Sequence, residues 1–186
     1  NDVDVDDTDT ASGAGIGDTN VTINLLTSSL LNVDLGFSYN LVTNTNDSGQ
    51  GSLRQFIENA ETIPGENQSV TEIATPGVIS LSSDLPALTE GDTHIDGYNY
   101  SGSVQNTNET GGLNGQIIVK IDGSAVPSGS LITITSSGNT VAGLAVMNDP
   151  GDAITISGSL AYDNRIQGCY IGTNTGGTIA QGSVGY

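Results

Sequence analysis

Two Ile-Asp-Gly triplets, Ile95-Asp96-Gly97 and Ile121-Asp122-Gly123, hold the carboxylates best placed to act as a catalytic pair. If the triplets stack as equivalent positions one turn apart in a β-solenoid, Asp96 and Asp122 would sit about 5 Å from each other, near the carboxylate spacing of retaining glycosidases. A structural reading competes, in which each Asp accepts backbone hydrogen bonds and each Gly supplies the turn. Other chemistry is thin. His94 is the single histidine, so a histidine metal cluster is excluded, and its place beside Ile95 puts it on the outer face of a strand. Cys169 is the single cysteine, so no intrachain disulfide forms, and a buried structural thiol is expected. Tyr98, Tyr100, Tyr162 and Tyr170 would make a sugar-stacking platform if several align on one face.

A second constellation lies at the start of the chain, where Asp2, Asp4, Asp6, Asp7 and Asp9 crowd together. Hard carboxylate oxygens at alternating positions suit Ca²⁺, although the run lacks the central Gly and distal Glu of a helix-loop-helix calcium loop. A solvated acidic edge is the alternative. No cofactor is required by anything else in the sequence.

Charge limits the partners. Three Lys and Arg against 21 Asp and Glu give a formal net charge of -18 in 186 residues. Arg54, Lys120 and Arg165 are scattered, so nucleic acid, anionic membrane and acidic glycan all lack the cationic groove they need. A calcium-assisted polysaccharide lyase would find only Lys120 and Arg165 as bases in the solenoid. No apolar run approaches the roughly 18 residues of a membrane-spanning helix, and the start at Asn1 carries no signal-peptide pattern, so a mature fragment is expected. Five Asn-X-Ser/Thr triplets, at Asn20, Asn46, Asn67, Asn99 and Asn108, fit the N-glycosylation pattern, as an Asn-, Ser- and Thr-rich chain does by chance.

The elements that would position these residues are short strands. Val21, Ile23 and Leu25, then Val33, Leu35, Phe37, Tyr39 and Leu41, alternate with period two and predict two half-buried strands. After a turn-rich stretch the period becomes helical: Leu53, Phe56, Ile57 and Ala60 form one apolar face behind a capping-box pair, Ser52 and Gln55, predicting a helix over 52–60. For Arg54, off that face, an ion pair to Glu58 or a carbonyl contact is expected. Beyond Pro64-Gly65 the apolar residues come in β-branched clusters bounded by Gly, Asn, Asp or Ser. These clusters repeat: 139–144 aligns with 164–169 at an offset of 25, 131–135 with 153–157 at 22, and 95–97 with 121–123 at 26. Such offsets match a solenoid rung with variable turns, and about five rungs fit between Ile73 and Thr173.

The stretch Gly51-Ser52-Leu53-Arg54-Gln55-Phe56-Ile57 resembles the Cys-Ser-Leu-Arg-Glu-Ala-Ile signature of bacterial surface β-helix proteins, with Gly51 for Cys, Gln55 for Glu and Phe56 for Ala. Leu85-Pro86-Ala87-Leu88, Ile95-Asp96-Gly97 and Tyr170-Ile171-Gly172-Thr173 extend the likeness to roughly residues 42–186. The resemblance implies a right-handed parallel β-helix in large exported proteins and no catalytic residue. Residues 20–39 more weakly resemble the end of an adhesin B-type immunoglobulin-like repeat.

The expected fold is therefore all-β: an acidic N-terminal segment with strands over 1–41, then a right-handed parallel β-helix over 42–186, capped by its helix and incomplete at the C-terminus. The expected function is that of an extracellular structural or adhesive module of a bacterial surface protein. It would assemble as a filament or sheath subunit with its own copies or other surface-protein domains, through N-terminal strands and an uncapped solenoid end, and would not be an enzyme. A polysaccharide-binding or polysaccharide-degrading β-helix is the alternative, with glycans as partners.

Overall fold

The computed structural model describes residues 39–73, 77–174, 178–180 and 182. Contacts divide the chain into Asn1–Tyr39 and Asn40–Tyr186. The expected strands upstream of Tyr39, and the adhesin-like stretch apart from Tyr39 itself, lie outside the described residues. At Leu41 the expected parity reverses: Leu41 is half-buried and Val42 is the buried residue.

The second unit is a parallel β-solenoid of about five turns with one short helix. Its elements in chain order are β1 (Leu41–Val42), α1 (Leu53–Ala60), β2 (Asn67–Gln68), β3 (Val70–Thr71), β4 (Val78–Ser80), β5 (Thr93–Asp96), β6 (Lys120–Asp122), β7 (Ser130–Ile134), β8 (Thr140–Ala142), β9 (Ala145–Met147), β10 (Asp152–Ile156), β11 (Arg165–Gln167) and β12 (Tyr170–Ile171). Every strand pair is parallel. Two faces are four-stranded sheets, β2-β5-β8-β11 and β4-β6-β9-β12, the third joins β7 to β10, and β1 pairs with β3. An isolated parallel bridge from Leu88 to Ile134 extends the third face downward.

Strands of two to five residues suffice because each is held by the turn above and the turn below, not by its own length. Registry fixes what points inward. Ile79, Ile121, Val146 and Ile171 stack in one column, Ile95, Val141 and Ile166 in a second, and Leu88, Ile134 and Ile156 in a third. β-branched side chains fit such columns because they fill a pleated surface without losing much rotamer freedom.

α1 closes the N-terminal end of this core. Leu53, Phe56, Ile57 and Ala60 are buried and belong to the same cluster as Val42, Ile79 and Leu81. Ser52 caps the helix by accepting from the Gln55 N–H at 3.1 Å. The reciprocal half of the expected capping box does not form, since the Ser52 N–H bonds to the Gly49 carbonyl and the Gln55 side-chain amide donates to Asn59. At the other end of α1, the Glu61 carboxylate accepts from the Thr89 N–H and hydroxyl, tying the helix to the first turn of the solenoid.

Corners between faces need backbone to pass backbone closely. A Cβ at Gly97 would fall 2.2 Å from the Gly143 carbonyl oxygen and 2.8 Å from Leu144 Cδ2. Gly97→Ala is therefore expected to destabilise the unit by about 1–3 kcal/mol, read from the urea midpoint. Gly112→Ala, with nothing within 4 Å of the added carbon, should stay within about 0.5 kcal/mol. Equal midpoints for the two variants would refute the steric account.

Candidate functional site

The carboxylate pair separates in the fold. Asp96 ends β5 and Asp122 ends β6, and these strands lie in different sheets of the solenoid. The residue above Asp96 is Ala142, and those paired with Asp122 are Ser80 and Met147. Asp96 and Asp122 are thus not stacked equivalents, which corrects the expected 5 Å pair. Both carboxylates serve turns. Asp96 Oδ1 accepts from the Tyr98 N–H at 2.8 Å, and Asp122 Oδ1 accepts from the Ser124 N–H at 3.0 Å and from Asn148 Nδ2 at 3.0 Å. Burial pushes the Asp122 pKa up, and the bonds from Asn148 and Ser124 outweigh it, leaving the carboxyl below its ordinary value. Asp96→Asn keeps an acceptor for the Tyr98 N–H and should leave the melting temperature nearly unchanged, whereas Asp96→Ala should cost about 1 kcal/mol. A thermal melt in which Asn and Ala behave alike would contradict this role.

The corner preceding the first face holds a ladder. Asn67, Thr93, Asn139 and Asn164 follow one another up the solenoid at the residue before or at the start of β2, β5, β8 and β11. Asn139 Oδ1 accepts from the Thr93 N–H at 3.0 Å, and Asn164 Oδ1 accepts from the Asn139 N–H at 2.9 Å. Each amide thus satisfies the backbone one turn earlier. Asn139 Nδ2 also donates to Ser136 Oγ, the Ser137 carbonyl and Asn164 Oδ1. At the lower end β2 is the edge of its sheet, and the buried Asn67 Oδ1 has no hydrogen-bond partner, as expected where the ladder begins. Asn67 is 1% exposed and its Nδ2 donates to the Ile63 and Gly65 carbonyls, which removes it as a glycan acceptor.

Arg54 reaches away from α1. Its Nε donates to the Asp47 carbonyl at 3.0 Å and its Nη2 to Asp47 Oδ1 at 2.7 Å, while Nη1 and Nη2 donate to the carbonyls of Asp84 and Ser83. Asp47 Oδ2 in turn accepts from the Ser82 N–H and hydroxyl. The acidic partner is Asp47 and not Glu58, because the helix start lies against the 44–51 loop and the 82–84 turn; the expected carbonyl contacts are present. Burial raises the Asp47 pKa, but the hydrogen bonds from Arg54 and Ser82 and the Arg54 charge bring it below the ordinary value.

The remaining candidates are dispersed. His94 is half-buried on the outer face of β5, 3.6 Å from Glu66. Cys169 is half-buried against the core, its Sγ near the Val141 and Gln167 carbonyls, and burial raises its pKa, so the thiol is held in its unreactive form. Of the tyrosines, Tyr100 is buried and Tyr162 is exposed on the segment before β11, while Tyr98 and Tyr170 lie beside the corner between β11 and β12. Asp2, Asp4, Asp6, Asp7 and Asp9 lie outside the described residues. Among the described residues no group of three or more His, Cys, Asp or Glu could hold a metal ion, and no helix is long and apolar enough to cross a membrane.

The last turn differs from those below it. Where Ile121 and Val146 are fully buried, Ile171 in the same column is 46% exposed; above the buried Ile134, Ile156 is 44% exposed. Ile166 is half-buried above Val141. No described strand pairs with the upper edges of β10, β11 or β12. Neither a family model nor a solved structure matches the chain.

Proposed function

We propose that the chain is an extracellular structural or adhesive β-solenoid module of a bacterial surface protein, associating through its C-terminal turn. The observation that supports this reading is the loss of burial at the top of all three inward columns, at Ile156, Ile166 and Ile171, together with three strand edges that pair with no other described strand. Exposed apolar columns flanked by unpaired N–H and C=O groups favour addition of another β layer. At the opposite end the same columns are covered: Ile79, Leu88 and Ile95 are 1%, 0% and 2% exposed, in one cluster with Leu53, Phe56 and Ile57 of α1. The resemblance around Ser52-Leu53-Arg54 and the sparse cations support the surface setting, and the two isolated Asp turns support a scaffold over a glycan-cleaving enzyme.

Sedimentation velocity across a concentration series, with electron microscopy of the same samples, tests the reading. Association that weakens in Ile156→Lys/Ile171→Lys is the expected result. A wild-type protein that stays monomeric at every concentration would rule the assembly out.

A further inference from the structure

The outer surface at the corner between the two four-stranded sheets carries a feature that scaffolding does not use. Registry places Asp96, Ala142 and Gln167 at successive outward positions of β5, β8 and β11, and Lys120, Ala145 and Tyr170 at outward positions of β6, β9 and β12. Ala142 and Ala145 face outward and yet are 3% and 0% exposed. Tyr98 runs over the glycines of this corner. A Cβ at Gly143 would lie 2.8 Å from Tyr98 Cγ and Cδ2, and one at Gly168 would lie 2.1 Å from its hydroxyl. Both glycines also have positive φ, so the corner admits the ring only because no side chain stands there. The Tyr98 hydroxyl donates to the Gly168 carbonyl at 2.8 Å, so the ring spans two turns of the solenoid, tied at both ends, and remains half-exposed. Burial raises its pKa, with further contributions from Cys169, Tyr170 and Asp96, which places those groups within electrostatic reach of the phenol.

We propose that this corner binds a neutral oligosaccharide, with Tyr98 and Tyr170 stacking on pyranose faces and Asp96 and Gln167 meeting the sugar hydroxyls. A fixed aromatic ring presents its face at little entropic cost, since its rotamer is set before the ligand arrives. Asp96 is oriented by the Tyr98 N–H, and Gln167 is exposed and supplies both a donor and an acceptor. The class of ligand follows from charge: at a formal -18 the chain repels acidic glycans, and uncharged sugars are not penalised. Gln167 and Tyr170 lie on β11 and β12, beside the proposed association surface, so binding is measured at a concentration where sedimentation velocity finds the monomer, and a monomeric chain leaves the site intact.

The chain has six Tyr and no Trp, so intrinsic tyrosine emission is free of a tryptophan background and includes the two rings of the site, with Tyr170→Ala separating their part from the rest. Titration of the whole protein with cellohexaose, xylohexaose and maltohexaose is expected to give a saturable change with at least one of them. An oligogalacturonate of equal length should bind more weakly. Tyr170→Ala should weaken the neutral ligand by about tenfold while leaving the melting temperature close to wild type. Tyr162→Phe, at an exposed tyrosine on the segment before β11 and outside this corner, is the control and should bind as wild type does. The proposal falls if none of the neutral sugars binds at millimolar concentration, if Tyr170→Ala binds as tightly as wild type, or if the acidic oligomer binds best.

Discussion

Asn139→Ala is expected to lower the unfolding free energy by about 3 kcal/mol, read as a lower urea midpoint at unchanged slope. Asn139 is 0% exposed and makes one accepted and three donated side-chain contacts. Truncation leaves the Thr93 N–H without its acceptor in a corner where Thr93 is itself 0% exposed. An unsatisfied buried donor costs more than an average hydrogen bond is worth, because the water that would replace the partner has no access. Asn139→Asp keeps the acceptor for Thr93 but turns an oxygen toward the Ser137 carbonyl and Asn164 Oδ1, so it should not rescue the loss. Asn164→Ala, at a half-buried position in the last turn, should cost less. A midpoint for Asn139→Ala within about 0.5 kcal/mol of wild type would show that the ladder is decorative.

The second large effect is expected at Arg54. Its side chain is 12% exposed, and its guanidinium joins three segments: the 44–51 loop, α1 and the 82–84 turn. Arg54→Ala should cost about 3 kcal/mol, because Asp47 and three carbonyls lose their donor together. Arg54→Lys should recover less than half of this, since an ammonium cannot present the planar fork that reaches Asp47 and two carbonyls of the next turn at once. The pH dependence has a definite sign. The native pKa of Asp47 lies below its ordinary value of 3.8, so its contribution is complete above that value and is lost as pH falls through the lowered native pKa. In Arg54→Ala that part of the acid slope should flatten. Denaturation curves at neutral and acidic pH that run parallel in wild type and variant would remove Asp47 from the account.

The repeat offsets of 25 and 22 were legible because they arise from true stacking: Thr140 pairs with Arg165 and Ile132 with Ile154. The offset of 26 between the Ile-Asp-Gly triplets misled for a physical reason. Ile95 stacks on Val141, at 141 − 95 = 46, and Ile121 on Val146, at 146 − 121 = 25. The triplets end two different strands of one turn, and they look alike because both corners use an Asp to hold the N–H two residues on and a glycine where a Cβ would strike a neighbour, the Gly143 carbonyl at Gly97 and the Leu131 side chain at Gly123. The intervening excursion happens to have about the length of a rung. The helix was legible from Leu53, Phe56, Ile57 and Ala60, whose spacing is strictly local. The partner of Arg54 was not, because Asp47, Ser83 and Asp84 meet it only through tertiary folding. The asparagines at 139 and 164 were visible as a repeat, but their task of satisfying the turn below becomes apparent only when the rungs are stacked.

Residues 97–119 connect β5 to β6, whereas residues 143 and 144 connect the strands directly above, β8 to β9. One corner is closed by 119 − 97 + 1 = 23 residues and its neighbour by two, with the same parallel register on both sides. Most of the longer connection stands out as an exposed hairpin anchored by the Val104 and Gln116 bridge. Since the entropic cost of closing a loop grows only with the logarithm of its length, this corner tolerates foreign sequence far better than the strands beside it. The solenoid is thus a graft site with a built-in precedent: a peptide epitope or small domain spliced between Asn106 and Asn114 would be displayed clear of the surface while the rungs beneath kept their alignment.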